Sequence, residues 1–357
     1  MRFIKKTCLL LAVILILPVC ACKDTATPVT FTAFNTQVII AGQSKPVTKN
    51  VENKIKNLCA SLENEFDLKY DGSFVKEFNE ADGGATINVS NTALDILTAA
   101  KTVYEKSSGK FDPTIYPLVS LWKFAPYSYT PNFEPPSDAQ IEQELQKVDF
   151  DLVTINAENN TVKKENEDVK LDLGGIVKGY AADKAAGILS QNGYKDGYVS
   201  VGGSSLYLLK VKELGVRHPR NVNDVIITVN CNDKTNLSVS TSGDYEKYHV
   251  GADGTRYCHI IDPTTGFPAN TGIASATLMG VEGVKGDALT TALCLCKYDK
   301  NNADNELIRF LTLIKSDYPD CIIFVVYDNG TDKLLITNKT QDVDFVLRDT
   351  DYKIVTI

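Results

Sequence analysis

The apolar residues of this chain change period along its length in a way that no regular βαβ repeat allows. From residue 198 onward, short runs rich in β-branched and aromatic residues read as strands: Tyr198 to Val201, Leu206 to Val211, Val225 to Val229, Leu237 to Ser240, Ile273 to Met279 and Cys321 to Tyr327. Helical spacing interrupts them only at Asp287 to Cys296 and at Glu306 to Lys315. The first half is different. One strand is expected at Phe31 to Ile40, then a long helix with Val51, Ile55, Leu58, Cys59, Leu62 and Phe66 on its inner face. A second helix starts at Ser90 or Asn91, carries Leu94, Leu97, Ala100 and Tyr104, and stops at Ser107-Ser108-Gly109. Strands that come in runs, punctuated by helices, predict an α+β architecture with mixed or antiparallel sheets and packed helices. With 43% hydrophobic residues over 357 positions, one large domain or two intimate lobes can bury a full core.

Between these blocks the chain carries local signals. Tyr116 to Pro136, rich in proline and aromatics and holding the sole tryptophan, Trp122, reads as a packed loop. Ser137 and Gln140 form a capping box for a short helix to Lys147. A hairpin is expected near Asn159-Asn160. Leu171-Asp172-Leu173-Gly174-Gly175 then leads into a helix with Val177, Tyr180, Ala181, Ile188 and Leu189 on one side, ended by Asn192-Gly193.

Residues 1–21 read as a secretion signal: basic Arg2, Lys5 and Lys6, an apolar run from Cys8 to Val19, then small residues. The run is short for a membrane span. Val19-Cys20-Ala21-Cys22 resembles a bacterial lipobox, so Cys22 is expected to be lipidated, with 22–29 as a tether and 30–357 as the folded domain. The alternative is an ordinary signal peptide cut nearby. The lipidated form would sit on the extracytoplasmic face of the cell membrane.

The net charge is −8, and three positive charges lie in the leader, so the mature chain is more acidic still. A field of that sign opposes phosphate backbones, and no basic stripe interleaved with aromatics counters it, so nucleic acid is not an expected partner. Beyond Cys22 there are six cysteines, Cys59, Cys231, Cys258, Cys294, Cys296 and Cys321, without CxxC or zinc spacing. Most read as core residues.

Four segments could carry chemistry. Asp287 and Thr291 are four apart near a helix start, so their oxygens share a face and could reach one hard cation; alternatively Asp287 caps its own helix. Gly174-Gly175 before a helix could admit a phosphate to the first helical amides, or serve a tight turn. His259, in Tyr257-Cys258-His259-Ile260-Ile261, falls on a strand face with Tyr257 and Ile261, close to the turn Asp262-Pro263-Thr264-Thr265-Gly266. It is a candidate base or a structural residue, while His218 and His249 fall in polar loop contexts. Thr241-Ser242-Gly243-Asp244-Tyr245 closes a strand with groups that can bind a ligand or cap their own backbone. No GxSxG elbow is present.

Taken in order, several segments resemble the ApbE family of FAD:protein FMN transferases. They are Ser73 to Asn79, Gly109-Lys110-Phe111-Asp112-Pro113-Thr114, Leu121-Trp122, Leu171 to Tyr180, Gly202-Gly203, Thr241 to Tyr245, His259 to Pro263 with Gly266, and Asp287-Ala288-Leu289 with Thr291. The resemblance implies one magnesium ion held by Asp287, Thr291 and a backbone carbonyl at Gly175. It implies FAD contacts from Lys110, Phe111, Asp112, Asp172, Lys178, Ser242, Gly243, Asp244 and Ile261, and from Phe34 on the first strand. His259 would be the base for an acceptor threonine, and AMP would leave. The chain has Phe34-Asn35-Thr36 where the family often has Met-Gly-Thr, and Ser204 where an acid usually follows the second glycine pair. Implied acceptors are flavin-bearing subunits of Rnf or sodium-translocating quinone reductase complexes. Two rivals share the pocket: a magnesium-dependent FAD pyrophosphatase giving FMN and AMP, and a non-enzymatic FAD-binding lipoprotein.

Overall fold

The computed structural model describes residues 25–357 apart from Pro126, Ser128, Val222 and Asp233. The expected leader 1–21, Cys22 and the first part of the tether lie outside the described residues. The helices are α1 (Lys49–Phe66), α2 (Phe74–Glu80), α3 (Asn91–Lys106), α4 (Tyr116–Leu121), α5 (Asp138–Leu145), α6 (Val177–Gln191), α7 (Gly283–Cys294) and α8 (Glu306–Asp317).

Nine strands form one sheet whose spatial order is also the chain order. They are Val29–Ala33, Thr36–Ala41, Gly197–Val201, Ser205–Lys210, Thr235–Gly243, Ile273–Met279, Ile322–Asp328, Lys333–Thr337 and Lys353–Thr356. Every neighbouring pair is antiparallel until the last, which is parallel. Both faces are covered, because side chains alternate across a strand. In Ser205–Lys210, Leu206 and Leu208 enter one core, and Tyr207 and Leu209 the other. The first core lies under a three-stranded sheet, Glu213–Arg217, Val225–Asn230 and Phe345–Leu347. The second is roofed by the helices, with Ile55, Phe78, Leu97 and Leu289 buried in it. Each such side chain contributes roughly 1.5–3 kcal/mol of burial. A third cluster, of Leu118, Trp122, Phe133, Ile141 and Ile261, joins α4 and α5 to the small sheet Pro131–Phe133, Tyr248–Gly251 and Arg256–Cys258.

The α+β expectation holds, and so do the two long early helices, the capping box at Ser137 and Gln140, and the hairpin around Asn160. Four expectations are corrected. The single strand at Phe31 to Ile40 is a hairpin, turned by Phe34 and Asn35 at φ 54° and 55°, a left-handed pair that reverses the chain. The loop at 116–136 contains α4, with proline in its first turn, and the strand Pro131–Phe133. His249 is in no polar loop: it is buried in a strand, its ring 4.7 Å from that of Phe124 and 4.4 Å from that of Phe133. The strand before His259 ends at Cys258, so strict alternation does not carry through to Ile261. All six described cysteines are free and buried, as core residues should be.

Candidate active site

The site forms where the amino ends of α6 and α7 meet one face of the central sheet. Along Thr235–Gly243, the serines at every second position face the helices. Ser238 donates to Asp183 (2.7 Å), Ser240 donates to Asp287 (2.7 Å), and Ser242 lies 2.9 Å from Thr290 Oγ1 and 3.3 Å from Thr291 Oγ1. Serine at every second position, Ser238, Ser240 and Ser242, is the sequence signal for this ladder, and only Ser242 is picked out from it above.

Asp287 lies one turn inside α7, not at its start, so it does not cap its own helix. Its carboxylate instead accepts the Gly179 N–H at the head of α6 (2.7 Å) and the hydroxyls of Ser205 (2.9 Å) and Ser240. Burial raises its pKa, while the Lys178 charge and these donors work to lower it. Thr291 Oγ1 donates to the Asp287 carbonyl (3.0 Å). The Gly175 backbone comes close: a methyl on that glycine would stand 3.4 Å from Phe111 Cε2 and 4.0 Å from Thr291 Oγ1. Gly175, Phe111, Ser242 and Thr291 are therefore one neighbourhood, with Asp287 a turn behind.

A second neighbourhood surrounds His259. Its N–H donates to the Lys247 carbonyl (3.0 Å), and its ring Nδ1 is buried with no partner. Burial, then the charges of Lys247 and Lys178, push the imidazole down to about 3, so it is neutral at ordinary pH. Lys247 is itself held below the usual lysine range by burial and by Lys178. Asp172 accepts the Gly174 N–H (2.8 Å); burial raises its pKa against the pull of that bond and of Lys247. Lys178 donates to Ser204 (2.9 Å). Lys247 was missed from sequence, since one lysine in a turn carries no signal.

The other expected residues have partners of their own. Asp112 is buried and faces inward, accepting from Thr114 N–H (2.7 Å), Thr114 Oγ1 (2.5 Å) and Phe150 N–H (3.3 Å). Its carboxyl is pushed up to about 6 by burial. Its side chain thus anchors the fold locally, bonded to Thr114 and Phe150. Asp244 is clamped by Arg220 through two bonds of 2.6 and 2.8 Å, and Lys110 pairs with Glu306 (3.1 Å) and with the Leu295 carbonyl. Ile261 is buried in the aromatic cluster, Gly243 closes the serine strand, and Phe34 is half-buried in its turn, its N–H donating to Glu63 (2.7 Å).

Among the described residues no group of three or more histidine, cysteine or acidic side chains gathers as a metal cage. The donors on offer are one buried carboxylate, hydroxyls and backbone carbonyls, a hard oxygen set of the kind magnesium takes.

A family model described as the ApbE family matches residues 26–307. The chain belongs to the ApbE family. ApbE relatives at the sequence level include the FAD:protein FMN transferase of Vibrio cholerae, 28% identical over 285 residues, 76% of this chain and 81% of the relative. The FAD:protein FMN transferase of Treponema pallidum is 31% identical over 255 residues, 65% of this chain and 67% of the relative. In three dimensions the ApbE protein from Thermotoga maritima superposes with a TM-score of 0.72 at 30% identity, covering 84% of this chain and 94% of that one. The flavin transferase ApbE from Vibrio cholerae gives 0.72 at 22%, covering 90% and 96%, which speaks for the fold alone.

Proposed function

We propose that this chain is an FAD:protein FMN transferase: it moves the FMN half of FAD onto a threonine hydroxyl of an acceptor protein and releases AMP. The relatives bear that name, and one observation within the chain carries the reading. The Asp287 carboxylate is bonded to the head of α6, the Thr291 hydroxyl one turn on lies beside Gly175, and a neutral histidine feels the charge of two lysines.

The residues divide the work. Lys178 and Lys247 supply positive charge for the pyrophosphate, and the glycine pair before α6 lets phosphate approach the backbone. Asp287, Thr291 and the Gly175 carbonyl would hold magnesium, which when bound neutralises pyrophosphate charge and polarises phosphorus. His259 takes the proton of the threonine hydroxyl; the threonine oxygen bonds to the FMN phosphorus as the bond to the AMP oxygen breaks. The same two lysines that depress His259 are those the pyrophosphate would neutralise. Bound FAD therefore raises the basicity of the imidazole at the moment it is needed.

The exported chain is read as held to the membrane by lipid at Cys22, facing a flavin-bearing subunit of an Rnf or sodium-translocating quinone reductase complex. The test is incubation with FAD, magnesium and such a subunit, followed by mass spectrometry. A threonine bearing FMN supports transfer. FMN and AMP in solution with the subunit unlabelled would point to the pyrophosphatase.

A further inference from the structure

Helices α6 and α7 exchange caps through a repeated spacing. Gly179 and Asp183 are four apart on α6, and Gly283 and Asp287 four apart on α7. The Gly179 N–H donates to Asp287 (2.7 Å), and the Gly283 N–H donates to Asp183 (2.7 Å). The helices touch backbone to backbone between these bonds: a methyl on Gly179 would stand 2.0 Å from the Gly283 carbonyl oxygen, and one on Gly283 would stand 2.5 Å from the Gly179 oxygen. Each carboxylate also takes one serine from the same strand face, Ser238 for Asp183 and Ser240 for Asp287.

We propose that Asp183 is a positioning residue for the candidate metal site: by holding the amino end of α7 against α6, it fixes where Asp287 and Thr291 present their oxygens. The proposal rests on the reading that those two residues take a divalent cation. Asp183 bonds to Ser238 and Gly283 rather than to Thr291. Its serine, Ser238, is four residues from Ser242 along an extended strand, about 13 Å at ~3.3 Å per residue, and Ser242 is the one beside Thr291. Asp183 acts through the helix junction, as outer partners orient metal ligands elsewhere. Without it, Gly283 loses its acceptor and α7 can shift along its contact with α6, carrying Asp287 and Thr291 with it.

The test is Mn2+ binding to the mature chain, read by electron paramagnetic resonance well below the melting temperature. Asp183→Ala should weaken binding about 10–100-fold. Asp183→Asn keeps an oxygen for Gly283 and a donor for Ser238, so it should restore most of that affinity. If the alanine variant binds Mn2+ as the wild type does and only melts earlier, Asp183 is a structural residue and the proposal fails. An asparagine variant as weak as alanine would also overturn it, because charge and not placement would then matter. Should the alanine variant not fold, Ser238→Ala deletes one of the bonds that orient Asp183, and wild-type affinity there overturns the idea. If the wild type itself binds no Mn2+, it is the metal reading that falls, and the proposal with it.

Discussion

Ser205 and Ser240 stand directly opposite each other on two antiparallel strands, and both hydroxyls donate to the carboxylate of Asp287. With the Gly179 N–H and the Lys178 charge they work against burial, which still leaves its pKa above the usual carboxylate range. The carboxylate ties α6, α7 and the sheet together, and it is also the side chain proposed above as a metal ligand.

Asp287 should therefore separate two roles in two variants. Asp287→Ala strands three donors around a void and should cost about 2–4 kcal/mol in urea denaturation, besides abolishing magnesium dependence. Asp287→Asn keeps an acceptor and the shape, so it should recover most of the stability while magnesium dependence stays lost. Unchanged magnesium dependence in the asparagine variant would remove Asp287 from the metal site.

His259→Asn should slow FMN transfer by roughly 10²-fold or more while FAD binding stays near normal, since a threonine hydroxyl needs a base. Calorimetry with FAD and mass spectrometry of the acceptor read the two effects apart. Equal loss of both would make His259 a residue that shapes the pocket. The base would then have to be sought elsewhere, and the clamp from Arg220 on Asp244 makes that carboxylate a poor substitute.

Much of this was legible in the sequence, and the omissions have physical reasons. The long helices and the buried strands announced themselves by period, and Asp287 with Thr291 by spacing. What spacing cannot give is which partner a carboxylate finds. Asp287 looked like a cap for its own helix and turned out to cap α6, 108 residues earlier in the chain. Asp112 sits in a motif beside Phe111, yet one side chain borders Gly175 and the other turns inward to Thr114. Ser205, Asp183 and Lys247 carry no local signal, because their roles depend on contacts made across the sheet and between helices.

Cys22→Ala should release the protein from the membrane fraction into the soluble one, because the apolar run before it reads as a signal and not a span. Fractionation followed by immunoblotting reads the outcome. A variant as firmly bound as the wild type would mean that another feature anchors the chain.

The depressed pKa of His259 predicts how stability depends on pH. The folded chain holds this imidazole at about 3, against about 6.5 for an unfolded histidine. Between those values the unfolded chain binds a proton that the folded chain does not. The histidine's contribution is therefore complete above about pH 6.5 and is lost as pH falls toward 3, by at most ~1.4 kcal/mol per pH unit. Asp112 and Asp183, both raised to about 6, work the other way: the stability they add is present at low pH and is lost as pH rises through 6. Subtracting the stability of His259→Asn from that of the wild type cancels the carboxylates and leaves the histidine. The difference should fall as pH is lowered from about 6.5 to 4.5. A flat difference would mean that Lys247, Lys178 and burial do not depress the imidazole. Repeating the measurement with saturating FAD should shrink the slope, since pyrophosphate charge offsets both lysines and lets the imidazole regain basicity. A slope unchanged by FAD would place the pyrophosphate away from Lys178 and Lys247, and the proposed activation of the base would fall with it.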